Sequence, residues 1–172
     1  MKQDDRRKLS GIGKENTVNI FDQAMKFEQK GMHYYHELAK RSWDPSMKKI
    51  FSWLAVQEEQ HFKLLKSMKK VSTIPPHRTV SFRPLRGLLR SIGKSMVVAE
   101  VTLSQLAAYR VALRMERNSE AFYLKRAKQA GRGPLRRTLA GIAGEEARHG
   151  DTIEYIIAGM DKKRLKGNTV SS

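Results

Sequence analysis

Glu28, Glu58 and His61 recur as Glu116, Glu146 and His149, each displaced by the same 88 residues. A Glu followed one helix later by a Glu-x-x-His, present twice, supplies four carboxylates and two imidazoles. That is the donor set of a two-metal carboxylate site inside a four-helix bundle. Residues three apart lie on one helix face, so Glu58 and His61 can reach one ion from neighbouring turns, as can Glu146 and His149. Four carboxylates carry −4 and two divalent ions carry +4, so the filled site is neutral with neutral imidazoles. Without ions the acids would repel each other and lose hydration, and they would have to take up protons or the core would open. One imidazole per ion among many oxygens suits two iron ions, with manganese or zinc as alternatives. Carboxylates that shift between one and two bound oxygens tolerate two oxidation states, so reduction of oxygen or peroxide is the natural chemistry. Glu58 and Glu146 are the candidates to bridge the ions, with Glu28 and Glu116 terminal.

The same shift carries Ala24 onto Ala112, Tyr35 onto Tyr123, Ala39 onto Ala127, Ala55 onto Ala143, Phe51 onto Leu139 and Leu54 onto Ile142. The repeat therefore extends to the apolar positions that position the acids. It also chooses between adjacent acids, because Glu59 falls on Ala147 and Glu145 on Gln57. Glu59 and Glu145 are thus expected in an outer shell or facing solvent. A single Glu-x-x-His is usually a surface pair, but here the neighbours Leu54, Ala55, Leu65, Ile142, Ala143 and Ile153 put both beside the core. His33 and His36 fall on Ala121 and Leu124 and read as surface or packing residues; Trp43 and Trp53 read as packing. Gly141, Gly144 and Gly150 suggest close helix approach or an irregular turn near His149.

The elements required to hold this set are four helices in an all-α fold: two antiparallel helical hairpins joined by a long crossover. Apolar periodicity predicts the first helix from about Thr17 to Arg41. Asp44 with Pro45 reads as an N-cap and first helical position, opening a second helix to about Val71. Gly131-Arg132-Gly133-Pro134 repeats the device ahead of a last helix that runs to about Met160. The third, about Ser95 to Ala130, is expected to be the longest. Residues 72–94, with Pro75, Pro76, Pro84 and Gly87, are too many for a tight turn and read as the crossover, which could also serve as a swapping hinge between subunits. Residues 1–15 and 161–172 read as basic tails flanking a bundle at 16–160.

A chain of 172 residues with 40% hydrophobic content suits one domain with a real core. The absence of cysteine excludes disulfides, iron–sulfur clusters and zinc-thiolate sites, so any metal is held by carboxylate and imidazole. The N-terminal segment lacks the apolar stretch of a signal peptide, and no run reaches the length of a membrane span, so a cytoplasmic protein is expected. The charge is unusual: 34 Lys and Arg against 17 Asp and Glu give +17 and a pI near 10.3. Residues 61–99 hold nine basic residues and no acid. This stripe could attract nucleic acid, anionic lipid or an acidic protein, or simply be a solvated surface offsetting buried acids.

Phe-Glu-Gln-Lys-Gly-Met-His-Tyr-Tyr-His-Glu-Leu-Ala, followed by Phe-Ser-Trp-Leu-Ala-Val-Gln-Glu-Glu-Gln-His, resembles the rubrerythrin branch of the ferritin-like di-iron carboxylate superfamily. So does the echo from Met115 to Ala127 and from Leu139 to His149. The resemblance covers residues from about 17 to 160 and implies a ferritin-like four-helix bundle with a di-iron centre. It implies metal roles for Glu28, Glu58, His61, Glu116, Glu146 and His149, and hydrogen-bonding roles beside the metals for Tyr35 and Tyr123. The chain departs from the family pattern twice. It has no cysteine for a rubredoxin-like module, so reductant must come from an external electron donor, and it has Ser119 where a further helix-three carboxylate is common. Both departures bear on the peroxidase activity more than on metal binding.

The expected function is a di-iron oxidoreductase, peroxidase or ferroxidase, that reduces peroxide or oxygen or oxidises ferrous iron, working as a homodimer. The alternative is a basic binding module for nucleic acid or an acidic partner, with a structural dinuclear metal site.

Overall fold

The computed structural model describes residues 14–70 and 102–169, and every regular element among them is an α-helix. We label these α1 (Lys14–Arg41), α2 (Pro45–Lys70), α3 (Leu103–Gln129) and α4 (Pro134–Thr169). The short connections fold α1 back on α2 and α3 back on α4 as two hairpins. The 72–94 crossover, the 1–13 part of the first tail and the basic stripe beyond Lys70 lie outside the described residues.

The helix starts follow from side-chain chemistry. Asp44 Oδ1 accepts from the backbone N–H of Ser46 at 2.7 Å and of Met47 at 3.1 Å, which satisfies donors that the first turn cannot pair internally. Pro45 costs nothing there, since its missing N–H would have had no partner. Thr102 caps α3 in a reciprocal box with Gln105, its hydroxyl accepting from the Gln105 N–H while Gln105 Oε1 accepts from the Thr102 N–H. Between α3 and α4, Gly131 sits at φ 64° and Gly133 at φ 152°, a backbone that a side chain would strain. The longest helix is α4, with 36 residues, rather than α3 with 27. It continues through Asp161 to Thr169, a segment expected as tail. Nothing between Met160 and Lys166 breaks a helix, and Asp161 meets Arg110 of α3 at 3.5 Å.

The core is divided. One apolar cluster joins Tyr35, Phe51, Leu54, Leu106, Tyr109 and Ile153; the other joins Phe21, Leu65, Tyr123, Leu135, Leu139 and Ile142. Each helix contributes to both, and each carries its Glu or its Glu-x-x-His between the two contributions. The bundle is thus sealed by hydrocarbon above and below one charged layer. Outside that layer Arg117 ties α3 to α4 through Asp151 at 2.7 Å and Glu154 at 2.9 Å, part-exposed pairs that contribute little individually.

Candidate metal centre

All six repeat-related side chains are buried: Glu28, Glu146 and His149 at 0%, Glu116 at 1%, His61 at 2% and Glu58 at 4%. They converge from all four helices into two overlapping groups, Glu28, Glu58, His61 and Glu146, and Glu58, Glu116, Glu146 and His149. In each group one donor atom per residue lies within 4.8 Å of the others. Glu58 and Glu146 belong to both groups, whereas Glu28 with His61 and Glu116 with His149 each belong to one. The imidazoles turn Nδ1 inward: that of His61 lies 2.9 Å from Glu146 Oε1 and 3.4 Å from Glu28 Oε2, and that of His149 lies 3.3 Å from Glu116 Oε2 and 3.7 Å from Glu146 Oε2.

Among the described residues, most of the buried polar side-chain atoms left without a hydrogen-bond partner lie in this layer. They include Glu28 Oε2, Glu116 Oε2, both Glu146 oxygens and Nδ1 of His61 and His149. Unpaired buried polar atoms are costly, and six facing one another describe a set of lone pairs aimed at a common centre. Hard oxygens with one imidazole in each group fit divalent iron or manganese. The donor set therefore fits the group that the sequence implies.

Tyrosines hold the terminal acids crosswise. The Tyr35 hydroxyl donates to Glu116 Oε1 and the Tyr123 hydroxyl donates to Glu28 Oε1. Burial, reinforced by the surrounding glutamates, pushes both phenols well above their ordinary range, so both remain protonated donors. The same forces act on the acids of the metal-free fold. Burial, then the charges of Glu146, Glu28 and Glu116, holds Glu58 well above the carboxylate range. Burial and Glu146 bring Glu116 up to about 7. Burial alone would lower the histidines, but the carboxylates beside them outweigh it, raising His149 to about 9 and His61 well above its usual value. Glu146 goes the other way: burial raises it, yet the imidazoles of His149 and His61 beside it prevail and hold it below the usual range. Protons thus take the place of cations in the metal-free layer.

Glu145 does not face solvent. It is 1% exposed and accepts from Nε2 of His61 at 2.9 Å, which is the outer-shell place of the two left open by the repeat, where its counterpart is Gln57. Glu59 pairs at the surface with Lys63 at 2.8 Å. Glu120 meets Arg117 and stands outside both acid–histidine groups. Trp43 is exposed at 74%, against the expectation of packing, whereas Trp53 stands at 81° against the His149 ring with centroids 5.1 Å apart. His33 and His36 are exposed. Ser119, three residues after Glu116, is buried with its Oγ unpaired among the described residues. The described members of the basic stripe, Lys63, Lys66, Lys69 and Lys70, lie on the outside of α2. There Lys66, Lys69 and Lys70 line an open groove with Met25, Lys26 and Phe62. Among the described residues no helix is long and apolar enough to cross a membrane.

A family model described as Rubrerythrin matches residues 19–157. No curated protein and no solved structure matches the chain.

Proposed function

The chain belongs to the rubrerythrin family and has its ferritin-like four-helix architecture, and from that premise we propose a di-iron carboxylate oxidoreductase that reduces peroxide or oxygen, or oxidises ferrous iron. The observation that carries this reading is the coincidence of the unpaired buried atoms with the two overlapping acid–histidine groups. Glu58 and Glu146 would be shared between two ions, Glu28 and His61 would complete one, and Glu116 and His149 the other. Such an ion pair, when bound, supplies two electrons and a place for an O–O bond to bind and be cleaved.

The remaining work falls to the chain's own groups. The apolar clusters on either side keep bulk water from the layer and strengthen its electrostatics. Tyr35 and Tyr123 fix the orientation of Glu116 and Glu28 and hold a proton at each phenol oxygen, within one hydrogen bond of a carboxylate that must change charge or coordination. With no cysteine in the chain, reducing equivalents come from an external donor.

Stopped-flow mixing of anaerobic, ferrous-loaded protein with peroxide tests the proposal. Oxidation of both irons well ahead of free ferrous ion in the same buffer is the expected result. Metal that remains ferrous, or oxidises no faster than free ion, would show a structural site and end the oxidoreductase reading.

A further inference from the structure

We propose that the halves of the buried layer are unequal and that Glu145 makes them so: it is a positioning residue that prepares His61 for a metal, so the His61 side binds more tightly than the His149 side. This rests on the metal reading above and adds an order to it.

The repeat makes differences between the halves informative. Nε2 of His61 donates to Glu145 Oε2 at 2.9 Å, with both side chains buried. A carboxylate at Nε2 can only accept, so the hydrogen lies there and Nδ1 is the atom available to a metal. Nδ1 is also the atom that faces Glu28 and Glu146. His61 therefore already has the ring orientation that ligation needs, with the hydrogen that stays after ligation held on Nε2, and a carboxylate on that far nitrogen makes the imidazole a stronger donor.

His149 has no equivalent. The position that corresponds to Glu145 is Gln57, and among the described residues Nε2 of His149 has no hydrogen-bond partner. Its ring is instead held by the perpendicular face of Trp53, whose own counterpart is Gly141. An aromatic wall fixes the plane of an imidazole but does not choose which nitrogen carries the hydrogen. Ligation at His149 must therefore bear the cost of fixing which nitrogen keeps the hydrogen, which the protein has already met at His61.

Anaerobic Co²⁺ titration, followed by calorimetry and visible absorption, tests this on single-site proteins, because two ions sharing Glu58 and Glu146 repel and would bind unequally even to identical halves. His149→Ala leaves the His61 side and His61→Ala leaves the His149 side. The first is expected to bind Co²⁺ about 10- to 100-fold more tightly than the second. Adding Glu145→Ala should remove that advantage from the His149→Ala protein, leave the His61→Ala protein within about threefold, and be partly rescued by Glu145→Gln, whose amide oxygen still accepts. Melting of each metal-free variant reports folding separately. In Co²⁺-loaded His149→Ala protein, the paramagnetically shifted N–H proton of His61 should exchange slowly with solvent and lose that protection in Glu145→Ala. Equal affinities of the two single-site proteins, or a Glu145→Ala effect that is absent or the same in both backgrounds, would overturn the inference alone. Failure of the unmutated protein to take up any Co²⁺ would overturn the metal reading itself.

Discussion

The Tyr35 hydroxyl on α1 donates to the Glu116 carboxylate on α3, and Tyr123 on α3 returns the contact to Glu28 on α1. Each half of the repeat thus supplies the donor for the other half's terminal acid. Hydrogen bonds to buried charged groups contribute roughly 1.5–3 kcal/mol each. Tyr35→Phe should therefore lower stability by an amount of that order and slow peroxide turnover, while two metals per chain are retained. Thermal melting, elemental analysis and stopped-flow rates on Tyr35→Phe and Tyr123→Phe check this. Loss of metal from either variant would mean that the phenols do more than orient.

Proton occupancy of the layer predicts opposite pH responses for the metal-free and loaded forms. Glu116, at about 7 against an ordinary 4.5, and His149, at about 9 against 6.5, both bind more protons in the fold than in the unfolded chain. Stability from His149 is fully present below 6.5 and lost as pH rises through about 9. The neutral Glu116 likewise favours the fold until pH passes from 4.5 to about 7. Glu146 has the opposite sign, and its contribution is lost only on acidification below the ordinary carboxylate value of 4.5. Metal displaces these protons, so loading should release protons and tighten as pH rises. Melting temperatures of metal-free and loaded protein should accordingly diverge between about pH 5 and pH 9, the first falling. Parallel curves would show that protons and metal do not compete.

Much of this layer was legible because duplication writes its register into the chain. The 88-residue shift singles out the six side chains that meet, and Asp44-Pro45 and Pro134 mark where their helices begin. For Glu145 the repeat left two places open, an outer shell or the solvent, and could not choose between them, since a repeat identifies what the halves share and Glu145 is where they differ. Thr102-x-x-Gln105 was a readable capping box, hidden by apolar periodicity that continues upstream of it. The extent of α4 was not readable, because a basic segment without proline can be helix or tail until something packs against it, as Arg110 does on Asp161.

Gly31 is a case in which tertiary distance alone reveals the role. A Cβ at this position would lie 2.7 Å from Glu58 Oε2 and 3.0 Å from its carboxyl carbon, closer than side chains approach. Gly31→Ala must displace the carboxylate shared by both groups. The same change favours the isolated helix by about 1 kcal/mol. Weakened metal uptake with little loss of metal-free stability is the expected combination, read by Co²⁺ titration beside a denaturant melt. Undiminished uptake would mean that Glu58 can bind from another rotamer.

The strongest demand on the centre falls on its two shared acids. Removing Glu58 or Glu146 alone takes one ligand from each group, whereas Glu58→Ala with Glu146→Ala leaves Glu28 with His61 and Glu116 with His149 as isolated pairs. Two donors per ion, separated by the space of two deleted carboxylates, cannot hold iron against chelation by buffer. The double variant should therefore contain no stoichiometric metal, and its melting temperature should not respond to added ferrous ion, whereas the unmutated protein is stabilised in proportion to ligand binding. Its metal-free form should remain folded, because the variant removes two buried acids that otherwise must be protonated or paired. Full metal content in the folded double variant would show that the ions sit elsewhere, and it would remove the structural basis for oxygen or peroxide chemistry in this layer.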